Sequence, residues 1–119
     1  MKNILINIDS GENFSIYKNP NEEEFIKNCD LINIACGFHS GDPDNLRETV
    51  KLVKKYGKLA GAHPSYPDLV GFGRRSMKLS SSEIENIIIY QLGALSAFLK
   101  VEGLSLNHVK PHGALFNDS

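Results

Sequence analysis

The chain has 119 residues, enough for one domain with one hydrophobic core and too few for two independent ones. Apolar residues make up 41% and charged residues 23%, with 10 Gly and 5 Pro, the proportions of a folded protein and not of a disordered one. Thirteen basic side chains against 14 acidic ones leave a net charge of −1, so no basic excess argues for a nucleic-acid partner. Cys29 and Cys36 form no Cys-x-x-Cys pair, and one bridge would not staple a secreted scaffold. Reduced thiols and a cytoplasmic location are expected. The basic-then-apolar N-terminus is interrupted by Asn7 and closed by Asp9, unlike a secretion signal. The longest uninterrupted apolar runs, such as residues 87–90, fall far short of the roughly 20 residues that span a membrane. A soluble protein with no membrane partner is expected.

Residues 3–9 alternate, with Ile4, Ile6 and Ile8 on one face and Leu5, Asn7 and Asp9 on the other, which predicts a first strand. A turn-rich loop over residues 10–21 leads to a short helix predicted over residues 22–28. Residues 30–36 read as a second strand whose isoleucines share a face. After a loop over residues 37–41, Asp42 as N-cap and Pro43 at the first helical position open a helix. Its apolar stripe, Leu46, Val50 and Val53, stops at Gly57. A short third strand, residues 58–62, runs into a long loop over residues 63–79 that is rich in Gly and Pro and carries Arg74 and Arg75. Ser80 and Glu83 form a capping box, and Ile84, Ile88, Leu92, Leu95 and Leu99 follow at helical spacing until Gly103. Residues 104–110 make a fourth strand, Pro111 breaks it, and residues 112–119 begin another loop or helix. Ile87, Ile88 and Ile89 are expected in the core. So is Cys36, whose place on the isoleucine face favours a small buried hydrophobe over a thiol nucleophile.

The order β-α-β-α-β-α-β predicts α/β architecture with a parallel sheet. Asn7, Asp9, Asn33, His108 and Lys110 point away from the isoleucine faces. Polar side chains there conflict with a doubly wound sheet packed on both sides, and they suit the inside of a barrel. A complete barrel of eight βα units takes about 250 residues. Residues 1–119, read as a single domain, therefore correspond to the N-terminal half of one, with about four parallel strands. Half a barrel leaves open sheet edges, so the chain is expected to be part of a longer protein.

Each predicted strand is followed by ionisable residues: Asp9 with Glu12, His39 with Asp42, His63 with Asp68, and Lys110 with His112. Parallel α/β folds place active sites at that edge. Any one of these histidines alone reads best as a loop residue bonded to backbone. Four consecutive strand ends that each deliver Asp, His or Lys form an arrangement that stability does not require. Spacing does not choose a role, because carboxylates and neutral imidazoles serve equally as bases and as metal ligands. The His108-x-x-x-His112 interval looks like a helical zinc pair, but Pro111 between them forbids the helix. Residues 71–76 begin like a dinucleotide fingerprint, yet Ser76 takes the third glycine's place, and no Walker-type phosphate loop occurs. Arg74 and Arg75 are candidate clamps for a carboxylate or phosphate through their forked guanidinium geometry. A solvated pair on a loop accounts for them equally well.

The blocks NIDSGE at 7–12, NIACGFHSGDP at 33–43, GAHPSYPD at 61–68, GFGRR at 71–75, YQLGAL at 90–95 and HVKPHGALFN at 108–117 resemble, in this order, the signature blocks of the LamB/YcsF family. That family supplies the A component of the prokaryotic ATP-dependent 5-oxoprolinase, and the resemblance covers the front half of its usual length. It implies a distorted β/α barrel similar to the glycoside hydrolase and deacetylase fold. It also implies ATP-driven opening of 5-oxo-L-proline to L-glutamate, with ATP as co-substrate and 5-oxoprolinase subunits B and C as partners. Carried over by position, Asp9, Glu12, His39, His63, Lys110 and His112 would be catalytic. Asn7, Asn33, Asp42, Arg74 and Arg75 would bind substrate. Two departures stand out: Leu5 occupies a place where the family usually has Asp, and Ser10 one where it prefers an apolar residue. Leu5 is expected deeper in the barrel than Asn7 and Asp9. A second enzymatic reading is metal-assisted hydrolysis of a carbohydrate-type amide, with Asp9, His39 and His63 or His112 binding a divalent metal, as the related deacetylases suggest. A non-enzymatic reading makes the chain a scaffold whose apolar edge meets another chain of the assembly.

Overall fold

A computed structural model describes residues 4–119. Its elements follow in the order β1 (Asn7–Ser10), α1 (Glu22–Asn28), β2 (Leu31–Ala35), α2 (Pro43–Lys55), β3 (Leu59–His63), α3 (Ser81–Val101), β4 (Leu106–Val109) and α4 (Gly113–Asp118). The four strands are parallel and lie in one open sheet in the order β1-β2-β3-β4. The alternation of strand and helix signals is therefore realised as the predicted α/β sheet.

Local chemistry sets the helix limits. The Asp42 side chain accepts from the Asn45 backbone N–H at 3.0 Å, with Pro43 opening α2. At α3 both halves of the capping box are present: Glu83 N–H donates to Ser80 Oγ at 3.1 Å, and Ser80 N–H to Glu83 Oε1 at 3.0 Å. Both helices end on glycines in the left-handed region, Gly57 and Gly103, with the following amide reaching back into the last turn.

One face of the sheet carries the core. Ile32 and Ile34 of β2 with Ala60 and Ala62 of β3 pack against Ile26 of α1, Leu46, Val50 and Val53 of α2, and Leu95 and Leu99 of α3. Cys36 lies in the same cluster, as its parity predicts. Burying a Leu, Ile or Val side chain contributes about 1.5–3 kcal/mol, so this face is the main source of stability. A smaller cluster, Tyr66, Ala114 and Leu115, sits under the long loop with Met77, Leu79, Ile84, Ile87 and Ile88 around it.

Several boundaries differ from the sequence expectation. β1 starts at Asn7, because its ladder begins only where Leu31 of β2 is available as partner. Ile4, Leu5 and Ile6 precede the strand and are exposed, so the expected strand face reduces to Ile8, and Leu5 is not buried in a lumen. Asn3 lies outside the described residues. His63 is the last residue of β3 and not a loop residue. Ile89 is exposed, whereas Ile87 and Ile88 are partly buried, since three consecutive positions cannot share one helix face. β4 is irregular: Leu106 registers with Ala60 and His108 with Gly61. This bulge puts Leu106 against the core while His108 faces the other side, although the two share strand parity. Finally, α3 is long and apolar enough, by length and composition, to cross a membrane, despite its lack of an uninterrupted apolar run. In this fold it lays Leu95 and Leu99 on the sheet, and its Gln91 brackets Ser65, accepting from its N–H at 2.9 Å and donating to its carbonyl at 2.8 Å.

Candidate functional site at the C-terminal edge of the sheet

The face of the sheet opposite the core carries a row of in-register residues, one per strand: Asp9, Asn33, Gly61 and His108. Asn33 donates to Asn7 Oδ1 at 3.0 Å and to Asp9 Oδ1 at 3.1 Å, and its own Oδ1 lies 2.6 Å from His108 Nε2. Asp9 Oδ1 also accepts from Lys110 Nζ at 3.1 Å, and Asp9 Oδ2 stands 3.5 Å from His63 Nε2. The neighbouring His63, together with Lys110 and Asn33, holds the Asp9 carboxyl well below the usual carboxylate range against the opposing effect of its burial.

Beyond this row, at the strand ends, the loops bring Glu12, His39, His63 and His112 into one cluster whose donor atoms all lie within 4.8 Å of one another. His39 Nε2 is 2.7 Å from Glu12 Oε2, and His112 Nδ1 is 3.0 Å from His63 Nε2 and 3.8 Å from Glu12 Oε2. The His39 and His112 rings stack at 3.7 Å between centroids. Phe72 meets both rings edge-on and closes one wall. The three imidazoles are buried, whereas Glu12 and Asp9 keep 24% and 36% of their side-chain surface exposed. A substrate arriving over this edge meets carboxylates first, with imidazoles behind them.

Hydrogen-bond accounting constrains the cluster. His63 Nδ1 lies 2.5 Å from the Lys110 carbonyl and His112 Nε2 lies 2.8 Å from the Phe72 carbonyl. A carbonyl only accepts, so both nitrogens carry hydrogen. In neutral rings the remaining nitrogens, His63 Nε2 and His112 Nδ1, would then face each other as two lone pairs. The contact requires a shared cation, either one extra proton or a metal ion. Burial pushes the His112 ring below the usual imidazole range, which disfavours the proton there. His39 Nδ1 is buried without a hydrogen-bond partner among the described residues.

The supports of the cluster come from residues that motif reading passes over. Glu22, at the start of α1, accepts from Ser10 Oγ, the Gly11 N–H and Thr49 Oγ1 through one oxygen and from Asn13 Nδ2 through the other. It thereby clasps the loop that carries Glu12. Phe72 adopts φ +52°, a conformation costly for a bulky side chain, and its carbonyl is the one that fixes His112. A Cβ on Gly73 would stand 2.2 Å from Ser65 Oγ and within 3 Å of His39 and His112, so only glycine lets the long loop pass this close.

Not every sequence candidate enters the cluster. Asp42 spends its carboxylate on the α2 N-terminus and on the Ser15 N–H. Arg75 is paired with Asp68 through Nε at 3.0 Å and through a second guanidinium nitrogen, so its fork serves the loop and is not free to clamp a ligand. Arg74 is exposed, with its guanidinium 5.9 Å from the centre of the Phe72 ring. Asn33 belongs to the polar row, and Asn7 lies beside it, accepting from the Asn33 amide. His108 and His112 do not form a zinc pair: the first lies in the row, the second caps α4 within the cluster.

The LamB/YcsF family profile matches residues 4–119. The chain is 57% identical over 114 residues to the 5-oxoprolinase subunit designated A of Thermococcus sibiricus, covering 96% of this chain and 45% of that protein. It is 50% identical over 117 residues to the corresponding 5-oxoprolinase component of Bacillus cereus, covering 98% of this chain and 46% of that one. The crystal structure of a lactam utilization protein from Thermus thermophilus superposes with a TM-score of 0.95 at 49% identity, covering 98% of this chain and 47% of that chain. The chain spans just under half the length of these relatives, which is consistent with a partial barrel. On a profile match over nearly its whole length, the chain belongs to the LamB/YcsF family.

Proposed function

We propose that the chain takes part in ATP-dependent opening of 5-oxo-L-proline to L-glutamate, as part of the A component of a cytoplasmic assembly with 5-oxoprolinase subunits B and C. The observation that carries this reading is the cluster of Glu12, His39, His63 and His112 beside the Asp9–Lys110 pair, in a chain whose relatives are named as the A component of 5-oxoprolinase. The two buried, free cysteines suit a reducing compartment.

A five-membered lactam is a resonance-stabilised amide that water attacks slowly. ATP supplies a phosphoryl group that turns the carbonyl oxygen into a leaving group. The chain has no Walker-type loop, so the nucleotide is assigned to a surface shared with the partners. Glu12, the half-buried carboxylate backed by His39 at 2.7 Å, takes a proton from the attacking water as its oxygen bonds to the ring carbonyl carbon. Lys110 stabilises the negative charge that develops on oxygen. The bond from that carbon to the ring nitrogen breaks, the nitrogen takes the proton back, and the γ-carboxyl is left as an acyl phosphate. A second water attacks this group, phosphate leaves, and the γ-carboxylate of glutamate remains, so that 5-oxoproline, ATP and two waters give glutamate, ADP and phosphate. The experiment is glutamate release from 5-oxoproline and ATP, using this chain and a chain of the relatives' full length, each mixed with subunits B and C. Turnover by the full-length chain, lost in Glu12→Gln and Lys110→Met, supports the reading. Absence of glutamate with all partners folded refutes it.

A second reading, metal-assisted hydrolysis of a carbohydrate-type amide, is favoured by the 3.0 Å approach of His63 Nε2 to His112 Nδ1, which a shared cation would satisfy. With Glu12 and His39 they offer four donors suited to a divalent cation such as zinc, and two of the three imidazoles are oriented by backbone carbonyls as metal-binding histidines usually are. Such an ion would lower the pKa of a bound water. Stoichiometric metal in the purified chain, lost in His63→Ala, supports this reading; metal-free protein after growth in zinc overturns it.

A further inference from the structure

We infer that His108 and Gly61 position the Asp9–Lys110 pair, acting across the sheet through the side-chain amide of Asn33. This inference rests on the reading of Asp9 and Lys110 as site residues, and it gives a task to a histidine that the cluster leaves out.

His108 belongs to β4 and Asn33 to β2, with β3 between them. An ordinary residue at the intervening register position would block the path: a Cβ on Gly61 would stand 2.1 Å from His108 Nε2 and 2.3 Å from its two neighbouring ring carbons. Because position 61 is glycine, the imidazole lies over β3 and reaches Asn33 Oδ1 at 2.6 Å. The β4 bulge is the second requirement, since it turns His108 to this face while leaving Leu106 in the core.

The direction of each hydrogen bond follows. Asn107 Nδ2 lies 3.0 Å from His108 Nδ1. An amide nitrogen only donates, so Nδ1 accepts and the proton sits on Nε2, which donates to Asn33 Oδ1. With its oxygen held on that side, Asn33 must turn its NH2 toward β1, where the two hydrogens go to Asn7 Oδ1 at 3.0 Å and Asp9 Oδ1 at 3.1 Å. The reverse amide orientation would set Asn33 oxygen against the Asp9 carboxylate. His108 therefore selects the amide orientation that suits an ionised Asp9. The Asn33 N–H and the Lys110 ammonium then converge on the same Asp9 oxygen, both at 3.1 Å, which fixes the carboxylate rotation and aims Oδ2 at His63. Asn33 is 1% exposed, so water does not replace a lost partner easily.

The test is nitrogen-15 NMR of the histidine rings and asparagine amides in this 119-residue chain. In the unmodified protein the His108 ring is expected as the Nε2–H tautomer, a measurement that needs no variant to fold; an Nδ1–H ring overturns the proposal. In His108→Ala and in Gly61→Ala the Asn33 amide resonances should shift and exchange faster while backbone resonances of α1 and α2 stay in place, and His108→Gln, which keeps an N–H donor, should restore part of the original signature. Asn33 resonances unmoved in both Ala variants overturn it. In the full-length assembly, His108→Ala and Asn33→Ala should each lower kcat about 10-fold with little change in KM, and the double variant should be no worse than the poorer single; multiplying losses refute the shared path. The NMR arms use no substrate, so they decide the positioning role separately from the lactam reaction.

Discussion

Replacing Glu22 by Ala should remove a large part of the stability of this chain, although Glu22 touches none of the candidate catalytic groups. Its carboxylate accepts four hydrogen bonds, at 2.7 Å from Ser10, 2.8 Å from the Gly11 amide, 2.9 Å from Asn13 and 2.9 Å from Thr49. Ser10, Asn13 and Thr49 are buried, so the donors left behind have poor access to water. A stranded buried donor costs about 1–3 kcal/mol. Glu22 itself is only half-buried, which admits some water and places each loss near the lower limit, for a total of about 3–4 kcal/mol. Glu22→Gln keeps the oxygen that serves three of the donors and loses the charge and the Asn13 contact, for about 1–2 kcal/mol. Urea unfolding followed by circular dichroism measures both. With a slope of about 1.5 kcal/mol per M, the midpoint should fall by about 2 M for Ala and about 1 M for Gln. A midpoint shift under about 0.5 M for the Ala variant, or equal shifts for both variants, would refute the claim that this carboxylate organises the Glu12 loop.

Arg75 and the backbone hold the Asp68 carboxyl down at about 2, below its ordinary 3.8. A depressed folded-state value means stability that is present above the unfolded value near 4 and is lost as pH falls from about 4 to about 2. Melting temperature measured against pH should therefore drop less steeply over that window in Asp68→Asn, and a curve parallel to the original refutes the contribution. Burial pushes the Cys36 thiol up to about 11, so at pH 8 it should resist iodoacetamide in the folded chain and react within minutes in urea; rapid native labelling of Cys36 on mass spectrometry would count against its place in the core. Gly73→Ala combines a disfavoured positive φ with a Cβ 2.2 Å from Ser65 Oγ and should cost about 2–3 kcal/mol, read as a lower urea midpoint; an unchanged midpoint would show that the loop can yield. Leu99→Ala, at a fully buried core position, should cost about 2–5 kcal/mol by the same assay, and a loss below about 1 kcal/mol would mean that α3 does not depend on this contact.

Much of the fold was legible in the sequence because its signals are local. Asp42 with Pro43, the Ser80–Glu83 box, and Gly57 and Gly103 act within one helical turn, so spacing alone locates α2 and α3. The polar residues of β1 and β2, Asn7, Asp9 and Asn33, declared an uncovered sheet face through simple two-residue alternation. The strand-end rule likewise brought Glu12, His39, His63 and His112 to one edge from the sequence alone.

Only the tertiary structure decided the pairings. Sequence neighbours suggested His39 with Asp42 and His63 with Asp68, yet His39 meets Glu12, Asp42 caps its helix, and Asp68 binds Arg75. The β4 bulge broke the two-residue period that would have put Leu106 and His108 on one face. Glu22 lies in no motif, and Gly61, although it opens the GAHPSYPD block, has no partner there: their importance comes from groups 9 to 47 positions away in the chain, such as Asn13, Thr49 and His108. Caps, alternation and turns are written into the chain within a few residues of where they act. Hydrogen-bond partners across strands depend on register and on which side chains are absent, and both exist only once the sheet has formed.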